Sequence, residues 1–260
     1  YFYSNSGYPS TENLTFNNCD FNNQYYYGIY NQYLCGLFLT RNRITTNSTY
    51  TSYTGIYNYW ILMNADVNRP LITGNKITGA AGGNGMYNYY IGVNSTVSAA
   101  RRALIANNFI QIGTSANAAY GLHMYYDNGS DYYHNTVNLT TTSTASSSAA
   151  IFYEGTYGTS YPVNVERNIF ASTTGAPACK WATTNMTGFN IVNNNDYYTT
   201  GTFGYNNATA VANLAAWQAA ITSTTKDPNS VSLSPSFVSA SDLHITTATN
   251  IKDVAVIPFA

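Results

Sequence analysis

Charge is scarce in this chain. Lys and Arg number 10 and Asp and Glu 11 among 260 residues, so charged residues make up 8%, about a third of the usual ~25% share. The net charge is −1 and the only basic pair is Arg101-Arg102. Nucleic acid is therefore not an expected partner, because phosphate binding needs clustered cations. No run of about 18 apolar residues occurs, so no helical membrane span is expected. Cysteine is limited to Cys19, Cys35 and Cys179. Three thiols cannot all pair within the chain. A small buried thiol is the reading for Cys19, with a Cys19–Cys35 bridge as the alternative. CxxC pairs, HExxH and Gly-rich phosphate loops are missing. Gly82-Gly83-Asn84-Gly85 reads as a turn into a strand.

Asn, Thr, Ser and Tyr must then cover the surface. Tyr alone numbers 26, and Tyr with Asn and Ser suits adaptable polar and stacking contacts. Low charge also suits stacked parallel strands, where aligned like charges would repel. Seven Asn-x-Ser/Thr sequons begin at Asn13, Asn47, Asn94, Asn128, Asn138, Asn185 and Asn207. At this Asn and Thr content chance accounts for them. The opening Tyr1-Phe2-Tyr3 reads as the start of a mature or trimmed piece of a longer protein.

The chain repeats itself. Leu39-Thr40-Arg41-Asn42-Arg43-Ile44 shows an apolar residue, two free positions, Asn, one free position and an apolar residue. The pattern returns around Asn75, Asn108, Asn135, Asn168 and Asn195, with an earlier copy from Leu14 to Cys19 around Asn17. Successive Asn are 25, 33, 33, 27, 33 and 27 residues apart, the period of a stacked architecture. The segments are short, rich in Ile, Val, Tyr, Phe and Thr, and bounded by Gly, Asn and Ser. That composition reads as strand rather than helix. The Asn is expected to take the left-handed bend and to bond rung to rung in a ladder.

A second repeat runs Gly28-Ile29-Tyr30-Asn31, Gly55-Ile56-Tyr57-Asn58, Gly85-Met86-Tyr87-Asn88 and, more loosely, Gly121-Leu122-His123-Met124. Ala150-Ile151-Phe152 is a weaker fifth copy. Strand side chains alternate, so Ile29, Ile56, Met86, Leu122 and Ile151 point in. Tyr30, Tyr57, Tyr87, His123 and Phe152 point out as an aromatic stripe, with Tyr33, Trp60, Tyr90 and Tyr126 following them. The stripe is the candidate ligand-binding face, for a glycan or a cell-surface partner. Distances from this motif to the next ladder Asn vary (14, 20, 23, 14 and 18 residues). Insertions therefore fall between the two strands, with 94–103 and 140–148 the clearest loops.

The expected fold is all-β: a single-stranded right-handed parallel β-helix of about seven coils over 14–198, after an opening segment 1–13. A cap at 199–260 contains one short helix over 213–222. Leu214, Trp217 and Ile221 give that helix its apolar face and Asn213 its N-cap. Phe237-Val238 and Asp242-Leu243-His244-Ile245 read as final strands.

The Asn-centred rungs resemble those of the right-handed parallel β-helices of the pectate-lyase-like superfold. The tail, with Asp227-Pro228, Ser234-Pro235-Ser236-Phe237 and Ser241-Asp242-Leu243-His244-Ile245, looks like the closing segment of β-helix domains in large secreted bacterial surface proteins. Many of those resemble adhesins exported by the type IX secretion system. The resemblance implies an extracellular or cell-surface module within a larger parent chain, acting in adhesion or glycan binding without catalysis. Enzymes of this superfold include polysaccharide lyases and hydrolases, which makes catalysis the alternative. A structural spacer is the second alternative. For catalysis the one concentration of titratable groups is His123, Asp127, Asp131 and His134 on one coil, with Glu154, Glu166 and Arg167 on the next. The bland reading of that stretch is an Asp-Asn-Gly turn, because no motif fixes its geometry. No cofactor is expected, although Asp127-Asn128-Gly129-Ser130-Asp131 could form a loose calcium loop that lacks EF-hand spacing.

Overall fold

A computed structural model describes residues 2–3, 11–63, 69–93, 102–155, 162–182, 188–221 and 227–246. The chain winds through seven coils, each carrying strands on three faces. The first coil holds β1 (Phe2–Tyr3), β2 (Thr11–Asn17) and β3 (Asp20–Asn22). In the second, β4 (Tyr27–Thr40) spans two faces and β5 (Arg43–Thr45) makes the third. The third has β6 (Thr54–Met63), β7 (Leu71–Thr73) and β8 (Lys76–Thr78). The fourth has β9 (Gly83–Val93), β10 (Ala103–Ala106) and β11 (Phe109–Ile112). The fifth has β12 (Ala119–Tyr125), β13 (Ser130–Tyr133) and β14 (Thr136–Leu139). The sixth has β15 (Ala149–Tyr153), β16 (Val163–Glu166) and β17 (Ile169–Ser172). The seventh has β18 (Cys179–Trp181), β19 (Phe189–Asn193) and β20 (Asp196–Thr199).

Coil-to-coil pairing is parallel throughout the stack. The first face runs β4-β6-β9-β12-β15-β18 and continues into β21 (Gly204–Asn206); the third runs β3-β5-β8-β11-β14-β17-β20. The second face runs from β2 through the end of β4 to β7, β10, β13, β16 and β19. This is the architecture of a parallel β-helix. No helix among the described residues is long and apolar enough to cross a membrane.

The core is built from columns of side chains that stack in register. Leu39, Ile72, Ile105, Tyr132, Val165 and Val192 face inward on the second face. Ile44, Ile77, Ile110, Val137, Phe170 and Tyr197 do so on the third. All twelve are buried, and burial of each aliphatic side chain is worth ~1.5–3 kcal/mol. The expected apolar-x-x-Asn-x-apolar rungs from Asn42 onward are these columns. The first-face glycines give the third-face residues room. A Cβ on Gly55 would lie 2.5 Å from Gly85 O and 2.5 Å from Ile77 Cγ2.

The asparagine ladder forms at the bend between the second and third faces. Asn42, Asn75, Asn108, Asn135, Asn168 and Asn195 are all buried. From Asn42 to Asn168, each Nδ2 donates to Oδ1 of the next Asn at 2.9–3.0 Å, and the backbone N–H donates to that same oxygen. The second Nδ2 hydrogen goes to a carbonyl of the preceding coil, as from Asn108 to Ile72 O at 2.8 Å. Buried amides must be satisfied, and here each uses both donors and its acceptor.

Two expectations about the ladder are corrected. Asn17 is outside it: the first rung is shifted by two residues. Register pairs Asn17 with Thr40, and Cys19 N–H donates to Asn42 Oδ1 at 3.0 Å from the ladder position. Asn17 is exposed and accepts from Thr40 Oγ1 and Arg41 Nη2. The left-handed residue is also not the ladder Asn but the one before it, with φ of 57° at Arg41, 66° at Gly74, 54° at Asn107, 55° at His134, 56° at Arg167 and 55° at Asn194. The ladder Asn is held by its own amide bonds. Its neighbour projects to the surface and absorbs the bend, at ~1–2 kcal/mol for a non-glycine residue.

The C-terminal end is closed by side chains from beyond the seventh coil. β22 (Thr209–Val211) pairs antiparallel with β21 and leads to α1 (Leu214–Ala220). Asn213 caps α1, its side chain accepting from Ala216 N at 2.8 Å. Trp217 is 1% exposed and stacks on Trp181 at 5.0 Å. Its Nε1 donates to Asp227 Oδ2 at 3.0 Å. Ser230 Oγ accepts from Asn195 N at 2.9 Å and donates to Asp227 Oδ1 at 2.6 Å, so the ladder ends on a carboxyl. Burial pushes the Asp227 carboxyl up to about 6. From there the tail runs back across the third face. Leu233 N donates to Asp196, Phe237 packs by Ile169, and His244 meets Phe109 edge-on. Phe237 and Ile245 make a single antiparallel bridge rather than strands.

Candidate binding face

The first face carries the aromatic residues, and alternation decides which are outside. Register aligns Tyr30, Tyr57, Tyr87, His123, Phe152, Lys180 and Tyr205 in one outward column. Tyr30 and Tyr57 are stacked at 4.8 Å with rings 4° apart. Tyr57 meets Tyr87 edge-on at 5.2 Å. Tyr87, His123 and Phe152 then form a second stacked block at 4.3 and 4.6 Å. Lys180 Nζ closes it, 4.3 Å above the Phe152 ring.

Two residues further along the strands lies another outward column, Gln32, Tyr59, Tyr89 and Tyr125. Tyr59 to Tyr89 is 4.8 Å and Tyr89 to Tyr125 is 4.6 Å. This column was not expected from the sequence, although the period-2 rule that selected Tyr57 selects Tyr59 equally. Tyr33, Trp60, Tyr90 and Tyr126 form the third column. Each has a left-handed backbone, φ 52° to 61°, which marks where the chain leaves the first face. Trp60 stacks on Tyr90 at 4.6 Å. All nine residues expected in the stripe therefore share one face. Burial among their neighbours pushes the Tyr57 and Tyr87 phenols above their ordinary value.

Beneath the aromatics is a second, inner amide ladder. Asn31 Nδ2 donates to Asn58 Oδ1, and Asn58 Nδ2 to Asn88 Oδ1, both at 2.9 Å. Asn88 Nδ2 donates to Tyr132 Oη at 2.9 Å, and Tyr132 Oη bonds Asp127. Asp127 follows left-handed Tyr126 as Ile91 follows Tyr90, and so falls in a column that is aliphatic at Leu34, Ile61 and Ile91. Burial pushes its carboxyl up to about 8, opposed by the bonds from Tyr132 and Ile91 N. The inner ladder went unread because Asn31, Asn58 and Asn88 sit inside the aromatic motif.

The polar end of the first column is a small cluster. His123 Nε2 lies 2.6 Å from Glu154 Oε2, and Nδ1 lies 3.1 Å from the Asn84 amide. Burial lowers the His123 pKa; the Glu154 hydrogen bond and charge oppose this, and Lys180 adds to it. A neutral ring donating from Nε2 to Glu154 needs the Asn84 amide turned to donate to Nδ1. Lys180 Nζ also donates to Tyr120 Oη at 3.3 Å.

The four residues of the alternative catalytic set are not brought together. His123 lies on the first face. Asp127 points into the core. Asp131 lies outward on the second face, where Arg102 Nε at 2.6 Å and Asn164 Nδ2 at 2.7 Å hold it. His134 forms the left-handed bend of its coil. Asp127 and Asp131, the two carboxylates of the 127–131 loop, therefore point in different directions. The residues 94–101 of the expected first loop lie outside the described residues; 140–148 joins the third face to the first.

Fold and face together define a parallel β-helix with one aromatic outer face. In comparison with known proteins, the chain matches no family model, no curated protein and no solved structure.

Proposed function

We propose that the chain is the β-helical module of a secreted bacterial surface protein, and that it binds glycans through its first face without transforming them. The observation that carries this reading is the three aromatic columns on one face of a chain with so little charge. Tyr hydroxyls and ring edges supply hydrogen bonds and apolar contact at low side-chain entropy. The polar ends, Gln32 on one side and Asn84, Glu154 and Lys180 on the other, can orient sugar hydroxyls.

The test is retention of the purified chain on immobilised polysaccharides, with released oligosaccharide followed by mass. Retention without product, weakened by Tyr59→Ala and Tyr89→Ala together, is expected. Retention unchanged in that double variant, with the fold intact, sinks the assignment of the face. Released product replaces binding with catalysis.

A further inference from the structure

The aromatic columns have a geometric limitation. Where rings stack coil on coil, as Tyr30 on Tyr57 and His123 on Phe152, each π-face is covered by its neighbour. Only edges and hydroxyls look outward. A sugar ring that stacks its C–H face on an aromatic needs an open ring face, and the column interiors offer few.

Open faces exist at the N-terminal end of the first column. Tyr25 and Tyr26 are 54% and 53% exposed. They precede β4, and Tyr25 O accepts from Ser48 Oγ at 2.6 Å, which fixes the turn to the next coil. Their rings are nearly perpendicular, 87° at 4.7 Å. Tyr50 buttresses both, at 5.5 Å from Tyr25 and 4.7 Å from Tyr26. With Tyr27, Gly28 and Tyr30 they line an open recess of about 230 Å³. That is below the ~300–1,000 Å³ of sites for drug-sized ligands, and is of the size for one ring.

Charge and size select the guest. Among the described residues the lining holds no carboxylate, ammonium or guanidinium, so an ionised ligand would find no countercharge and would lose hydration. Two aromatic walls at right angles offer one face for a sugar's C–H surface and one edge, while phenol hydroxyls can bond the equatorial oxygens. We propose that this recess is a subsite for a single neutral pyranose unit, placed at the head of the face on which the rest of the glycan lies. The proposal rests on the glycan-binding reading and gives it a substrate class and a polarity: a neutral glycan, entered at Tyr25 and Tyr26.

The experiment is calorimetric titration with neutral and uronate-containing oligosaccharides of four to six units. Wild type, Tyr25→Ala/Tyr26→Ala, Tyr25→Phe/Tyr26→Phe and Tyr59→Ala/Tyr89→Ala are compared, with the urea midpoint as the check on folding. Both recess residues are exposed, so the fold should survive. The alanine pair should weaken binding of the neutral ligand at least about ten-fold, the scale of losing aromatic anchors; the phenylalanine pair should retain most of it. Ring protons of one terminal sugar should show the strongest saturation transfer. Affinity within about two-fold in the folded alanine pair, or a preference for uronates, overturns the proposal. If the Tyr59/Tyr89 variant weakens binding and the recess variant does not, the recess alone falls. If no oligosaccharide binds wild type, recess and glycan reading fall together.

Discussion

The Asp127 carboxyl can be tested through the pH dependence of stability. Its folded pKa is raised from 3.8 to about 8, chiefly by burial. A raised folded pKa means that the unfolded chain ionises first as pH increases. The contribution is therefore fully present below 3.8 and is lost as pH rises through about 8. The slope is ~1.4 kcal/mol per pH unit, so the loss across the window is on the order of 5 kcal/mol. Asp127→Asn keeps the shape and cannot ionise. Its amide oxygen can still accept from Ile91 N, and its NH2 can reach Tyr132 Oη. Urea unfolding followed by Trp fluorescence at pH 4 to 9 should give similar stabilities at the acid end. The variant's advantage should then grow with pH and level off near pH 8. Asp196 and Asp227 also titrate on folding, and subtraction of the two curves cancels them. A difference that stays flat from pH 5 to 8 refutes the neutral, buried carboxyl and the inner ladder drawn to end on it.

Three further outcomes are expected. Asn108→Ala leaves Asn75 N and one Asn75 Nδ2 hydrogen without their acceptor and takes one donor each from Asn135 Oδ1, which keeps the residue 108 N–H, and from Ile72 O, costing on the order of 4 kcal/mol at 1–3 per orphaned donor; Asn17→Ala should lower the urea-derived stability by less than about 0.5 kcal/mol, and a similar loss in both would contradict the ladder register. Gly55→Ala should destabilise by about 2 kcal/mol or more, because its Cβ would overlap Gly85 O and Ile77; a wild-type melting temperature would refute that packing. His123 should titrate below 6.5 by NMR, so its stabilising contribution is present above 6.5 and lost as pH falls; Glu154→Gln should lower the value further, and titration above 6.5 would show that the Glu154 charge outweighs burial.

The stack was legible because the bend of every complete ladder rung has the same two-residue form. Asn, bonded on both sides, is hard to replace there, so its spacing survives while loops change length. The first rung misled because Asn17 and Asn18 sit beside a ladder position held by Cys19, which preserves the N–H donor and not the amide. The aromatic face was legible from period-2 alternation alone. The alternative catalytic set failed for a physical reason: between His123 and His134 the chain passes from the first face through a core-facing position to the second face and its corner. Neighbours in sequence thus point in different directions. The recess was unread because Tyr25 and Tyr26 lie in a turn, where no period announces which face a side chain takes.

The ladder also has a mechanical meaning. Its amide bonds, and the strand-to-strand bonds beside them, join each coil to the next along the stack. A pull along that direction loads one coil boundary at a time, so coils should peel singly from an end. Each released coil of 27 or 33 residues would add roughly 90–120 Å of extended chain, while the remaining coils keep their own bonds. A stack built this way lengthens in steps under tension rather than failing at once.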